Sequence, residues 1–372
     1  MDFVKFGILG SGEAWLFHRA GYHKNSKRKF VSVYDIDQKR ARNAARMFKM
    51  NAYSTYEEFL KSDIDAVLIM VPHFLHEKLV VAAAEAGKHV LCEKPMATTL
   101  EGCDEMIKAT KKAGVKFMIA ENHRFLPAHK YIAEAVHNGL IGNVFLIRSY
   151  EGVNEISGLM KSGFWKGHPI MAGGGSLADM GAHKFAVMNW ILNDEVEAAY
   201  SWLTKQCTNL AEKAEDNAMA FLKFKSGAIA ETVLSFTVCT PPTNSLEVCG
   251  TLGTILEDHS WQYPVKIYST HEDMGQHKDK WYEPEIEHGP FPKYYEISFR
   301  IEDDYFTSCI LEDKDPEFTP EQARAAISTV LMAYLSARLG RTATEKELMD
   351  VYKKKGTKSI LEGLEKFVQN NY

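Results

Sequence analysis

Glu93-Lys94-Pro95 and, further along the chain, Gly173-Gly174-Gly175 leading into Asp179-x-x-x-His183 supply one lysine, one carboxylate and one imidazole. Those three groups suit the removal of a proton from a hydroxyl while charge builds on its oxygen. Four residues separate Asp179 from His183, so on a helix they share a face and the carboxylate can orient the ring. Lys94 would set a positive charge beside a developing alkoxide. His183 is one candidate base and Lys94 is the other; residue types alone leave the two assignments open. Each also has a plainer reading. Glu93-Lys94 could be a surface ion pair worth under about 1 kcal/mol, and a chain with 14 histidines uses most of them structurally.

A second group of residues binds rather than reacts. Gly7-x-x-Gly10-Ser11-Gly12 lies between an apolar run, Val4 to Leu9, and a helical stretch. In that context a G-x-G turn lets the backbone approach a pyrophosphate, whose charge meets the helix N-terminus, here Glu13 and Ala14. The third small residue of the G-x-G-x-x-G/A pattern is replaced by Trp15, which requires different local packing. Asp35 ends the next apolar run, about 20 residues on, where a carboxylate accepts from both ribose hydroxyls of NAD and repels a 2′-phosphate. NAD is therefore expected over NADP. Asp37, two residues further, is the competing reading as a simple helix cap.

The elements that must hold these groups alternate strand and helix through residue 120, the pattern of a parallel sheet with crossover helices. Phe30 to Tyr34, Ala66 to Val71, His89 to Cys92 and Lys116 to Ala120 read as strands, and Lys39 to Met50, Leu79 to Ala86 and Leu100 to Ala113 as helices. After Asn122 the period changes. A helix from Pro127 to Asn138 precedes longer strands at 144–150, 198–204, 218–224, 228–236 and 245–248, with Lys225-Ser226-Gly227 as a hairpin turn. Helices are expected over 320–339 and 345–369. The reading is an α/β protein: an N-terminal Rossmann dinucleotide-binding domain over 1–122 and an α/β domain with a large open, mostly antiparallel sheet over 123–372.

Composition narrows the partners. The 372 residues carry 44 Lys and Arg against 49 Asp and Glu, a net charge of −5, which argues against nucleic acid. The run Lys24 to Lys29 reads as a solvated loop. Six cysteines show no CxxC pair and no zinc-like spacing, so no metal is expected and a reducing compartment is. Met1 to Leu9, with Asp2 and Lys5, lacks the apolar core of a signal peptide, and no run reaches the roughly 20 apolar residues of a membrane helix. A cytoplasmic protein without membrane partners is expected.

Taken in order, the Gly-rich turn, Pro72 with Leu75-His76, Ala86-Gly87-Lys88-His89-Val90, Glu93-Lys94-Pro95, Asn122 with Arg124-Phe125 and Pro127, Gly142, the triple glycine and Asp179-x-Gly181-x-His183 resemble the glucose–fructose oxidoreductase, inositol dehydrogenase and rhizopine-catabolism family. The resemblance spans nearly the whole chain. It implies that Lys94, Asp179 and His183 line one cleft as catalytic residues, and that Pro72, His73, His76, Glu93 and Asn122 join Gly10, Ser11, Gly12, Glu13, Ala14 and Asp35 around the cofactor. His73 stands where many relatives carry Asn. Arg124, Tyr150, Asn154 and Trp165 are further candidates for substrate contact, with His168 nearby. The implied activity is NAD-dependent oxidation of a secondary hydroxyl of a sugar, inositol or glycoside. Two alternatives remain: an NAD-retaining, redox-neutral glycosidase or sugar oxidoreductase, and a non-catalytic nucleotide- or sugar-sensing regulator. The family also implies a homo-oligomer, dimer or higher, formed through the C-terminal sheet.

Overall fold

Strand β1, Val4–Leu9, is buried along nearly its whole length, because a central parallel strand has helices over both of its faces. It pairs in parallel with β2, Arg28–Tyr34, on one side and with β4, Ala66–Ile69, on the other. With β3, Asn51–Ala52, β5, His89–Glu93, and β6, Phe117–Ala120, the sheet runs in the order β3-β2-β1-β4-β5-β6. Strand order reverses between β1 and β4, and an open α/β sheet binds its ligand at the carboxyl ends there. The computed structural model describes residues 2–23, 26–161, 163–206 and 214–370, and it divides the chain into two compact units. One comprises Met1–Asn122 with Tyr295–Arg324, the other His123–Tyr294 with Ala325–Tyr372.

Residues 295–311, within a helix spanning Lys293–Leu311, belong to the first unit. Phe299 stacks on Phe17, and Phe306 meets Phe6 edge-on. Periodicity does not reveal this helix, because aromatic and β-branched residues dominate it and charged Glu302 and Asp303 sit within its buried stripe. Trp15 is accommodated by an aromatic cluster, edge-on to Phe30 and Phe48 with centroids 5.1 and 5.3 Å away.

The second unit is built on a ten-stranded mixed sheet. Its main strands are β7, Val144–Gly152, β8, Val196–Lys205, β9, Asn217–Phe224, β10, Ile229–Ser235, β11, Thr243–Gly250, β12, Gly253–Asp258, and β13, Val265–Ser269, with short edge pairs beyond them. β7 and β10 run parallel, whereas the β8–β9, β9–β10, β7–β11, β11–β12 and β12–β13 pairs are antiparallel. The turn at Lys225-Ser226-Gly227 joins β9 to β10, with Gly227 at φ +95°. β12 and β13 add to the strands expected from sequence. The expected helix over 345–369 instead ends at Lys355, since Gly356 takes φ 75° and ψ 150°.

One face of this sheet is covered by helix Ser176–Leu192, most of whose residues are buried. The other face presents Trp202, Phe221 and Ile229, each at least 39% exposed, beside a cavity lined in part by Leu146, Arg148 and Tyr200.

The triple glycine exists because the backbone there is overrun by neighbours. A Cβ on Gly174, which has φ +137°, would lie 1.9 Å from the Tyr334 hydroxyl, and one on Gly175 would lie 1.9 Å from the Glu215 carbonyl oxygen. The buried Glu215 carboxylate caps the helix that follows. It accepts from the N–H groups of Gly175 and Leu177 and, at 2.7 Å, from the Tyr334 hydroxyl. Burial pushes its pKa up to about 7 against the pull of those donors. A folded-state value above the unfolded one means the folded state holds the proton more tightly. Its contribution is therefore full below about pH 4.5 and is lost as pH rises through 7. Glu215→Gln should lower the melting temperature, and the wild-type advantage measured by chemical denaturation should shrink by roughly 3 kcal/mol between pH 4.5 and 8. An advantage constant across that range would remove the linkage.

Candidate active site

In the first unit the candidate cofactor residues gather at the carboxyl ends of the strands. Gly10 has φ +86°, and a Cβ on it would lie 2.2 Å from the Met70 carbonyl oxygen, so the β1 and β4 ends meet only with glycine there. Gly12 stands at the N-terminus of helix Glu13–Ala20 without any side-chain cap, leaving the first-turn N–H groups of Glu13 and Ala14 open to an anion. Asp35 is buried, and its Oδ2 accepts from the Ser11 N–H at 2.7 Å and the Ser11 hydroxyl at 2.9 Å. Asp37 is the helix cap: its carboxylate accepts from the N–H groups of Arg40 and Lys39, which hold its pKa below the usual range. Asp37 thus takes the capping role, and Asp35 accepts instead from Ser11 and from the Asp37 N–H.

Pro72 leads into a short turn carrying His73, whose ring lies 5.6 Å from that of His76. His76 is fully buried and bridges two loops, with Nδ1 2.8 Å from the Pro95 carbonyl oxygen and Nε2 2.9 Å from that of Val71. Burial lowers its pKa, opposed by those carbonyls. Both nitrogens face backbone carbonyls, of which a neutral ring donates to one, so His76 packs between Val71 and the Lys94-Pro95 segment. That peptide bond is cis.

Glu93 is likewise turned inward. Its Oε2 accepts from the Lys94 N–H, and its Oε1 lies 3.0 Å from Nε2 of the buried His18. Nδ1 of His18 lies 2.9 Å from Asp303 Oδ1, and Arg28 NH1 lies 2.7 Å from Asp303 Oδ2. The His18 ring thus stands between two carboxyls, one on each nitrogen. Beside it, burial drives the Glu302 carboxyl well above the ordinary range, outweighing His18 and Arg28. Lys94 thus leaves the sheet from a strand end fixed by a buried chain of charged groups. Asn122, at the end of β6, is held by a 3.0 Å hydrogen bond to Ser298.

In the second unit Asp179 and His183 occupy the first two turns of helix Ser176–Leu192, on one face as their spacing predicts. Asp179 Oδ2 lies 3.9 Å from Lys166 Nζ, which also approaches Glu155. His183 is buried and stacks face-to-face on His123, with centroids 4.0 Å apart. Burial, with His183, His129 and Lys184 nearby, keeps the His123 pKa far below the usual value, so that ring is neutral. Lys184 reaches Asn244 and lies 3.8 Å from Glu151; burial lowers its pKa against Glu151 and Glu257.

The other sequence candidates have partners of their own. Arg124 places its guanidinium 4.6 Å from the centre of the Trp190 ring. Tyr150 projects from the open side of β7, where alternation sets it opposite Glu151, so it does not join His183. Asn154 bridges Thr237 and accepts from the Ile156 N–H, while Trp165 begins a single turn and His168 caps the next. Sequence reasoning passed over Lys166, His123, Glu151, Lys184 and Glu215. Lys166 and His123 adjoin residues it did select, which was the available signal.

Two family models describe this architecture. Residues 4–121 match the NAD-binding Rossmann fold of an oxidoreductase family, and residues 129–256 match the GFO/IDH/MocA C-terminal domain. The chain belongs to the GFO/IDH/MocA oxidoreductase family. Among relatives, it is 29% identical over 276 residues to a myo-inositol 2-dehydrogenase of Thermotoga maritima, covering 73% of this chain and 80% of that one. It is 35% identical over 196 residues to a 1,5-anhydro-D-fructose reductase of Ensifer adhaerens, covering 52% and 57%. A levoglucosan dehydrogenase structure in complex with NADH shares the fold, with a TM-score of 0.82 and 21% identity over 92% of this chain and 98% of that one. The protein is thus an oxidoreductase whose first unit has the fold that binds a nicotinamide cofactor. The expected fold class, a Rossmann domain followed by a large, mostly antiparallel sheet, is the one observed.

Asp35→Ala should weaken NAD about 10- to 100-fold in a calorimetric titration, from loss of charge-assisted bonds worth about 1.5–3 kcal/mol. Unchanged affinity would leave Asp35 only the task of holding Ser11.

Proposed function

We propose that the protein oxidises a secondary hydroxyl of a polyhydroxylated ring, a sugar, inositol or glycoside, with NAD as the hydride acceptor. The observation that carries this reading is the retention of all three reactive groups on rigid supports: Lys94 on the end of β5, and Asp179 with His183 on a helix capped by Glu215. The relatives named for inositol and anhydrofructose chemistry support the substrate class. NAD is favoured over NADP because the Asp35 carboxylate, already aimed at the glycine loop, would oppose a 2′-phosphate.

In this reading NAD, which Gly10, Ser11, Gly12 and Asp35 would hold, would supply the hydride acceptor, and the hydroxyl proton passes to His183 as the alcohol carbon becomes a ketone. Asp179 orients the imidazole and stabilises its protonated form. Lys94 offers its ammonium to the developing alkoxide. The neutral ring of His123, packed flat against His183, restricts the imidazole to a narrow range of orientations. The exposed Trp202, Phe221 and Ile229 support pairing of the open sheet face with a second copy of the chain.

His183→Ala and Lys94→Met should each lower kcat for polyol oxidation by about 10²- to 10⁴-fold while NAD still binds. Wild-type turnover of a glycoside without accumulation of NADH would instead establish the redox-neutral cycle. Trp202→Glu should dissociate the oligomer in sedimentation experiments; an unchanged sedimentation coefficient would place subunit contacts elsewhere.

A further inference from the structure

Three buried side chains from two distant parts of the second unit converge on one point. They are His129 in helix Pro127–His137, Glu257 in β12 and His259 just beyond it, and none is more than 4% exposed. One donor atom from each lies within 4.8 Å of the others. Nδ1 of His129 is 2.8 Å from the His123 carbonyl oxygen. A carbonyl only accepts, so Nδ1 carries the hydrogen and a neutral ring turns the Nε2 lone pair the other way. That nitrogen lies 3.8 Å from Glu257 Oε2 and has no hydrogen-bond partner. His259 Nε2 lies 2.8 Å from Glu257 Oε1, yet neither atom is aligned as a hydrogen bond to anything. Two imidazole nitrogens and a carboxylate thus converge in a place sealed from water, and the 2.8 Å contact between His259 and Glu257 leaves the His129 Nε2 outside hydrogen-bond reach of either.

A buried carboxylate facing lone pairs is costly unless a cation lies among them. The surroundings are those of a metal centre. An imidazole that binds metal through Nε2 characteristically donates its Nδ1–H to a backbone carbonyl, as His129 does to His123. The His259 ring is fixed by the Tyr294 ring stacked at 4.4 Å and 7°. The His18, Glu302 and Asp303 cluster of the first unit differs, because Arg28 already sits at Asp303 there.

The geometry points to a structural divalent-metal site formed by His129, Glu257 and His259. Two nitrogens and one carboxylate oxygen suit zinc, and a donor set of this kind also accepts cobalt. The ion would tie helix Pro127–His137 to β12. Through the His123 carbonyl it would also fix the residue whose ring lies against His183. Glu257 and His259 stand two residues apart, but His129 lies more than a hundred residues before them, so no spacing motif announces the set.

The test is metal analysis of untagged full-length protein by inductively coupled plasma mass spectrometry. About one equivalent of zinc per chain is expected, falling below about 0.1 in Glu257→Gln and His259→Ala. Chelator-treated wild-type protein should regain melting temperature on addition of Zn²⁺ and show the visible absorption of tetrahedral cobalt on addition of Co²⁺, so the inference is testable even if the variants fail to fold. Metal-free wild-type protein that responds to neither ion would overturn it and leave a proton-bridged ion pair. Equal metal in wild type and folded variants would also overturn it.

Discussion

A carboxylate buried at the start of a helix is the constraint on which the second unit depends. Glu215 draws the N–H groups of Gly175 and Leu177 onto its oxygens and takes the Tyr334 hydroxyl as a further donor. Each donor satisfied there avoids a desolvation cost of about 1–3 kcal/mol, while burial, which pushes the Glu215 pKa up to about 7, outweighs the pull of the helix end on its charge. To reach those donors the chain passes against Tyr334 and the Glu215 backbone without side chains at Gly174 and Gly175, and Gly173 before them takes φ 85°. The helix that emerges has its axis and rotation set, and with them the directions of Asp179 and His183. The candidate pair inherits its orientation from a residue outside the proposed chemistry.

The first unit solves the same problem with a chain of charges. Lys94 must project from a strand end, where backbone is free to move. The fully buried His76 packs between the Pro95 and Val71 carbonyls, and Glu93 is held by His18, itself held by Asp303. Burying so many ionisable groups costs several kcal/mol per ion before pairing returns it. An apolar substitute of similar volume would serve stability as well, so the network is better explained by the need to fix one lysine than by the need to hold the fold.

Behind His183 the second unit continues inward as a run of imidazoles and carboxylates: His123, His129, Glu257 and His259, with Glu151 and Lys184 alongside. Low dielectric makes each of these groups sensitive to its neighbours. A neutral ring directly behind the candidate base avoids the like-charge repulsion that a protonated His123 would exert on a protonated His183.

What the sequence determined by itself is considerable. Alternating apolar runs and the Gly10-Ser11-Gly12 turn specified the parallel sheet and its phosphate-binding end, because these signals are local: period, glycine and helix start all lie within one strand–turn–helix unit. The Asp179–His183 pair was legible for the same reason, four residues being one helical turn. Tertiary structure alone decided which polar residues were spent on scaffolding. Glu93 and His76 face inward instead of toward a ligand, Tyr150 falls on the far side of β7, and Asp37 rather than Asp35 caps the helix. Helix Lys293–Leu311 escaped because buried Glu302 and Asp303 interrupt its apolar stripe, and the partners of Asp303, Arg28 and His18, come from the other end of the chain. Contacts that close over hundreds of residues leave no period in the sequence. They are set by how the strands and helices pack.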